Sequence, residues 1–430
     1  MKRQLFKWSA VLVLLAVSVV CVYFYTVFDT PITPENPDVK PSTPTIGAPS
    51  EEERVPKTEF PKAPLLSPFS GCNFLSPLSG SGDDVVREIL CYDDFIYAIG
   101  DTNSPDYDFV TANASIFIAK LSLSGTILCV TTKEGVYSSA KVTPFGIAVV
   151  STCGTGTVLT VFDYDLVETQ EVTVHGATGG VTALGGSHLY LVTKSVSEVI
   201  SYTPTGEQSR VSIPNLVDIL SVEYIMDTLY VVGNTTSSPL IISLKDDNII
   251  SSPIETLDKV QSVVPFFDKK VGFVTSGLKG DKCTLSATFF DGETSWVKTF
   301  LTADLSSVVP ISDGYLLFIE DDTASTCIRL CSHGDIMENC ILSFTNLMPC
   351  QYVVTSLDTF ILLRTKGEEK STVATFNVTD GARLKYQFNC TTPRAFVLGE
   401  GIIVALTNNT RSGNFASGIG GEDTFILGLI

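Results

Sequence analysis

The chain has 430 residues, 47 acidic and 28 basic, with a formal net charge of -19. That balance disfavours a nucleic-acid binder, which needs a basic footprint, and disfavours docking of a folded domain on an anionic bilayer. Only 17% of residues are charged, so Ser and Thr carry much of the polar surface, as they do in extracellular β proteins.

The N-terminus reads MKRQLFKWSAVLVLLAVSVVCVYFYTVF. Lys2, Arg3 and Lys7 precede an uncharged stretch from Trp8 to Phe28. The stretch is long enough to cross a bilayer as a helix, and the cationic flank keeps the short tail 1–7 inside. A cleaved signal peptide is disfavoured, because the apolar run is too long and no A-x-A-like site follows it. Cys21 does not read as a lipoprotein site, since Val20 stands where a small residue belongs. We therefore expect a signal anchor at 8–28, a single-pass cell-membrane protein, and the bulk of the chain outside.

Residues 29–70 place a Pro every few positions among few large apolar groups. Such a segment cannot bury enough surface to order itself and works as an extended stalk. The expected folded domain is 71–430.

Within that domain an apolar run recurs eight times. It begins at Ile96 (IYAIG), Ile147 (IAVVS), Leu189 (LYLVTK), Leu229 (LYVVGN), Val271 (VGFVTS), Tyr315 (YLLFIE), Phe360 (FILLRT) and Ile402 (IIVALT). The intervals are 51, 42, 40, 42, 44, 45 and 42 residues. That period in an all-β chain predicts a β-propeller. Each unit reads as four strands, A to D, with the run above as strand B. A-to-B corners are often acidic, as at Asp227-Thr228 and Asp313-Gly314. Between C and D stands an x-Gly pair in five units, for example Ser124-Gly125 and His333-Gly334, a strong hairpin signal. The eighth unit reaches Ile430 inside strand C. The missing strand is expected from Cys72 to Leu78 (CNFLSPL), because an unpaired edge is a liability. Eight four-stranded blades are favoured; seven remain possible if one unit is degenerate, with unit two the weakest match.

The loops between strands B and C are long only in units one and eight, at 101–115 and 407–423. In a closed ring these units are neighbours and both loops emerge on one face. Loops on a rigid scaffold carry function, so the candidate ligand-binding residues are Asp106, Tyr107, Asp108, Asn113, Asn408, Asn409, Arg411, Asn414, Glu422 and Asp423. The plainer reading is that the two loops cover the seam of the ring. Asp106, Tyr107 and Asp108 with Asn103 offer oxygens to calcium, but no D-x-D-x-D-G loop is present and a solvated acidic loop is the stronger reading. No other metal or cofactor is expected.

Catalytic signatures are missing. No H-E-x-x-H, G-x-S-x-G or P-loop occurs, and the only His residues are His175, His188 and His333. Adjacent carboxylates such as Asp93-Asp94 point to opposite faces of a strand and make poor acid–base pairs. Ten Cys outside the anchor permit disulfides. With His333-Gly334 as a two-residue loop, the register carries Cys327 opposite Cys340, a candidate disulfide. Sequons stand at Asn113, Asn234, Asn377, Asn389 and Asn408.

YAIGDTNSPDYDFVTANASIFIAKLSLSG, from Tyr97 to Gly125, resembles the repeat of bacterial cell-surface β-propellers of the SBBP type. GGEDTFILGL near the C-terminus and YVVGNTTSSPLIISL in unit four match parts of the same pattern. The resemblance implies a surface propeller and carries over no catalytic residue. The expected function is non-enzymatic recognition or scaffolding at the cell surface, with an extracellular protein or glycan as partner. The alternative is a carbohydrate-active hydrolase or lyase using carboxylates in the central channel. The A strands are mostly apolar, which argues against it. A third reading, a folding or assembly factor for exported proteins, has no specific support.

Overall fold

The computed structural model describes residues 72–429, except 107, 110–113, 155, 247, 269, 321–324, 345–346, 355–357, 366–370, 378–380, 389–391, 399–401 and 409–422. In parts of blades five to eight it describes the backbone alone. The predicted anchor and stalk lie outside the described residues.

Eight four-stranded antiparallel sheets form an eight-bladed propeller. Seven blades are simple meanders of consecutive strands. The eighth runs Thr392–Leu398, Ile402–Asn408 and Asp423–Leu429, and its outer strand is Cys72–Leu78. The register sets Leu75 opposite Leu427 and Leu78 opposite Thr424. The predicted closure is thus the observed one, and unit two forms a regular blade from Val136 to His175.

The strands alternate their side chains between two neighbouring blades, so both faces of a middle strand must be apolar. Gly314–Glu320 of blade six is buried along its whole length. Outer strands meet water; Asn248–Pro253 of blade four is mostly exposed. The core is a series of clusters between sheets. One joins Ala183, Val192 and Val199 of blade three to Ile219, Val222 and Val231 of blade four.

Hydroxyl and amide side chains stitch several neighbouring blades together. Ser138 Oγ donates to Gly180 O at 2.8 Å and accepts from Gly180 N–H at 3.1 Å. Asn234 makes the same two-sided link to Val260, at 2.9 and 3.0 Å. At the seam Thr424 Oγ1 donates to Asp84 O at 2.8 Å and accepts from Val86 N–H at 3.0 Å. These bonds satisfy backbone groups on strand edges that have no further strand to pair with.

The x-Gly turns have a second use. Gly125 (φ +81°) and Gly334 (φ +77°) take the left-handed conformation the turn requires. Each also lies under an aromatic ring from the preceding blade's outer strand. A Cβ at Gly125 would meet Phe74 at 2.3 Å, and one at Gly334 would meet Trp296 at 2.7 Å.

The cysteine geometry differs from expectation. Cys331 N–H donates to Asp335 O and Gly334 N–H to Cys331 O, so the turn is wider than two residues. A bulge between Ile328 and Leu330 shifts the register further, and Cys327 lies opposite Leu342, not Cys340. The direct opposition on which that disulfide rested is not what the sheet adopts. Cys91, Cys129, Cys153, Cys283 and Cys331 carry free thiols.

Candidate functional site

The first B-to-C loop wraps the seam. Ser79 N–H donates to Asp108 Oδ2 at 3.1 Å and Ser81 N–H to Asp106 Oδ1 at 2.8 Å. Gly82 N–H donates to Ser104 Oγ at 2.9 Å and Asp83 N–H to Asn103 Oδ1 at 2.6 Å. Residues 79–83 are the link from the closing strand to blade one. Phe109 anchors the loop, fully buried and 4.8 Å from the Phe117 ring. Asp106 and Asp108 therefore clamp the closure. Asn408 and Asp423 pair across two strands at the foot of the other loop. Tyr107, Asn113, Asn409, Arg411, Asn414 and Glu422 lie outside the described residues.

The inner strands present a different set. In the described backbone, six of the eight carry a β-bulge, at Arg87, Ser138, Leu220, Gln261, Cys350 and Arg394. A bulge re-aims the residues beside it. In five of those strands the next residue is polar: Glu88, Ser139, Ser221, Ser262 and Gln351.

Alternation assigns their directions. Ala140 and Val142 pack in the cluster between blades one and two, so Ser139 and Lys141 turn toward blade three. Val181 and Ala183 pack between blades three and four, so Thr182 turns back toward blade two. Leu90 packs toward blade two, and so does Glu88. Tyr137 of blade two donates its hydroxyl to Glu88 Oε2 at 2.8 Å. Tyr137 N–H in turn bonds Asp101 Oδ1 at 2.6 Å, and Arg87 holds the other oxygen of Asp101 at 2.7 Å.

Burial raises the Glu88 carboxyl above its ordinary value, while the Tyr137 hydroxyl and the Lys141 ammonium pull it down. Burial likewise raises Glu223 of blade four, opposed by the same Lys141 and by Ser221. Burial and the nearby Glu223 charge push the Tyr352 hydroxyl of blade seven up to about 12. Lys141 is exposed and lies within electrostatic reach of both carboxylates. Among the described residues, Ser139 Oγ, Thr182 Oγ1 and Gln351 Oε1 are buried atoms with no hydrogen-bond partner. The inner strands thus carry two carboxyls whose titration burial shifts upward, one ammonium, two tyrosines and several unspent hydrogen-bonding groups.

Sequence reasoning passed over this set because the A strands look apolar. The usable signal was present: VREILCY and ILSVEY each hold a carboxylate inside a strand whose neighbours must be buried.

Comparison with protein-family models and with curated proteins finds no match. Solved structures with a similar ring include virginiamycin B lyase from Staphylococcus aureus, at 12% identity and TM-score 0.44 over 67% of this chain and 94% of that one. A dihydro-heme d1 dehydrogenase is similar at 12% identity and TM-score 0.48, over 78% of this chain and 79% of that one. A protein from Lactobacillus plantarum gives 12% identity and TM-score 0.47, over 70% of this chain and 98% of that one. At these values the likeness is one of fold alone.

Proposed function

We propose that this chain is a membrane-tethered extracellular recognition propeller that binds its partner, a protein or a glycan, through the polar groups of the inner strands without catalysis. The observation that carries the reading is the exposed Lys141 of blade two within electrostatic reach of the Glu88 and Glu223 carboxyls of blades one and four. The tether rests on the sequence: the cationic flank, the apolar run 8–28 and the Pro-rich stalk. The resemblance to surface propellers of the SBBP type supports the same placement.

The enzyme reading gains one point from Glu88 and Glu223. Burial raises both, as a general acid requires. The two glutamates lie on the inner strands of blades one and four, not side by side on one blade.

Two measurements test the proposal. Protease added to intact cells removes the propeller if it faces outward and leaves it if it faces inward. Purified full chain in detergent is then offered surface proteins and glycans, beside the double variant Glu88→Gln, Glu223→Gln. Capture lost in the variant supports inner-strand recognition; equal capture by both refutes it. Cleavage of an offered glycan by the parent alone would select the enzyme reading.

A further inference from the structure

We propose that the outer strand of blade four, Asn248–Pro253, is a docking edge. It takes an extended segment of another protein as a fifth strand, one with an apolar centre and basic ends. This surface lies on the rim of the ring and does not depend on the inner-strand reading above.

An outer strand offers a row of backbone N–H and C=O groups to any passing chain, and proteins block such edges with charges or proline. Seven of the eight outer strands here are blocked in that way by their sequence. Ile127–Glu134 holds Lys133, Glu168–His175 holds Glu171, Gly206–Ser212 holds Arg210 and Cys72–Leu78 holds Pro77. Asn248–Pro253 (NIISSP) holds no charge, and its one proline is its last residue. The strand borders only Pro239–Lys245. Lys245 pairs with Asn248 across the turn, and Ile254 N–H donates to Pro239 O at 3.0 Å, so the inward bonds fall on even positions. Ile249 and Ser251 therefore aim their N–H and C=O outward. Every residue of the strand but Ser252 is exposed, with Ile250 at 63%. Neighbouring residues of a strand point to opposite faces, so Ile249 and Ile250 make both faces of this edge apolar.

The charges around the strand choose its occupant. Exposed Asp246 stands before the strand and exposed Glu255 after it, and Asp247 adds a further acid to the turn. The turn of blade five that packs on Ser252 through Gly292 carries exposed Asp291 and Glu293. Against these stands Lys245, while Lys279 is already paired with Asp258 and bonded to Glu255 O. The edge is thus an uncharged, apolar strip in an acidic surround. Main-chain pairing gives an added strand its affinity, and side chains give it its specificity. Lys or Arg at the ends of the segment meets the acidic surround, and a β-branched residue in its centre covers Ile250. A second copy of this chain does not fit: two such edges paired antiparallel would set Asp246 of each near Glu255 of the other, like charge against like.

The test uses the full chain in a nonionic detergent and three fluorescent peptides. The first is Lys-Lys-Thr-Val-Thr-Val-Thr-Lys-Lys, the second has the same core between glutamates, and the third is the lysine peptide with every core amide N-methylated. Anisotropy should rise saturably with the first and stay flat with the other two. Hydrogen exchange at Ile249 and Ser251 should slow in the complex, which distinguishes this edge from the inner strands. Ser251→Pro removes one outward N–H and leaves the inward ladder intact, so it should weaken binding about two- to tenfold, as one lost hydrogen bond does. Ile250→Lys changes an exposed position, sets a like charge against the peptide and should weaken binding at least as much. A flat signal with the lysine peptide overturns the inference, and so does binding that both variants leave unchanged. Equal binding of the glutamate peptide overturns it through the charge argument. A dimer of the chain that Ile250→Lys abolishes, with the lysine peptide silent, overturns it by giving the edge to a second copy.

Discussion

Thr424→Val tests how the ring is closed. Thr424 is fully buried, and its hydroxyl both donates to Asp84 O and accepts from Val86 N–H. Valine fills nearly the same volume but leaves that N–H and that carbonyl unpaired at the junction of the last and first blades. Each orphaned buried group costs about 1–3 kcal/mol. Removing the hydroxyl returns its own desolvation cost, so the net loss is about 2–4 kcal/mol. The assay is native-state hydrogen exchange at Val86, because that amide loses its partner directly. If the seam opens locally, the loss corresponds to roughly 30- to 1,000-fold faster exchange at about 1.4 kcal/mol per decade. Ser139→Ala is the control: its Oγ has no partner, so exchange on its strand should stay within about threefold of the parent, as for substitutions that touch no bond. Exchange at Val86 unchanged by Thr424→Val would refute the claim that this hydroxyl holds the seam.

Gly334→Ala should cost about 1–2 kcal/mol for the left-handed backbone alone. The added methyl also displaces Trp296, one of only two Trp in the chain, so its emission should shift together with the urea midpoint. For Glu88 the pH dependence has a definite sign. Burial raises its carboxyl in the fold above the ordinary 4.5, so its contribution is fully present below that value and is lost as pH rises through the folded value. Glu88→Gln stays neutral and still accepts from Tyr137, so its stability relative to the parent should grow from pH 4 toward neutrality; a gap that does not change with pH would contradict this. Burial pushes the Cys283 thiol up to about 11, and the side chain is fully buried. At pH 8 a maleimide should label half-buried Cys331 well before Cys283, as read by mass spectrometry.

The repeat, the blade number, the strand order and the closing strand were all legible in the chain. Each depends on local signals: apolar runs at a fixed period, acidic corners, x-Gly turns and one leftover strand at Cys72–Leu78. A four-stranded meander needs only neighbours in sequence, so its instructions lie close together. The seam loop was legible in part. Its length and position were plain, but not that Asp106 and Asp108 would spend their oxygens on the amides of Ser81 and Ser79. Cys327 shows the opposite failure. A uniform two-residue hairpin puts Cys340 opposite it, and a wider turn together with a bulge puts Leu342 there instead.

The inner-strand site was decided by tertiary structure. Glu88, Lys141, Thr182 and Glu223 come from four blades and share no motif or spacing. Bulges and strand alternation set which way each one turns, and packing of the blades sets what each one faces. The sequence by itself determined the blade, because a hairpin is written in adjacent residues. The tertiary structure decided the site, because side chains more than a hundred residues apart, such as Glu223 and Tyr352, come within electrostatic reach only once the blades have packed.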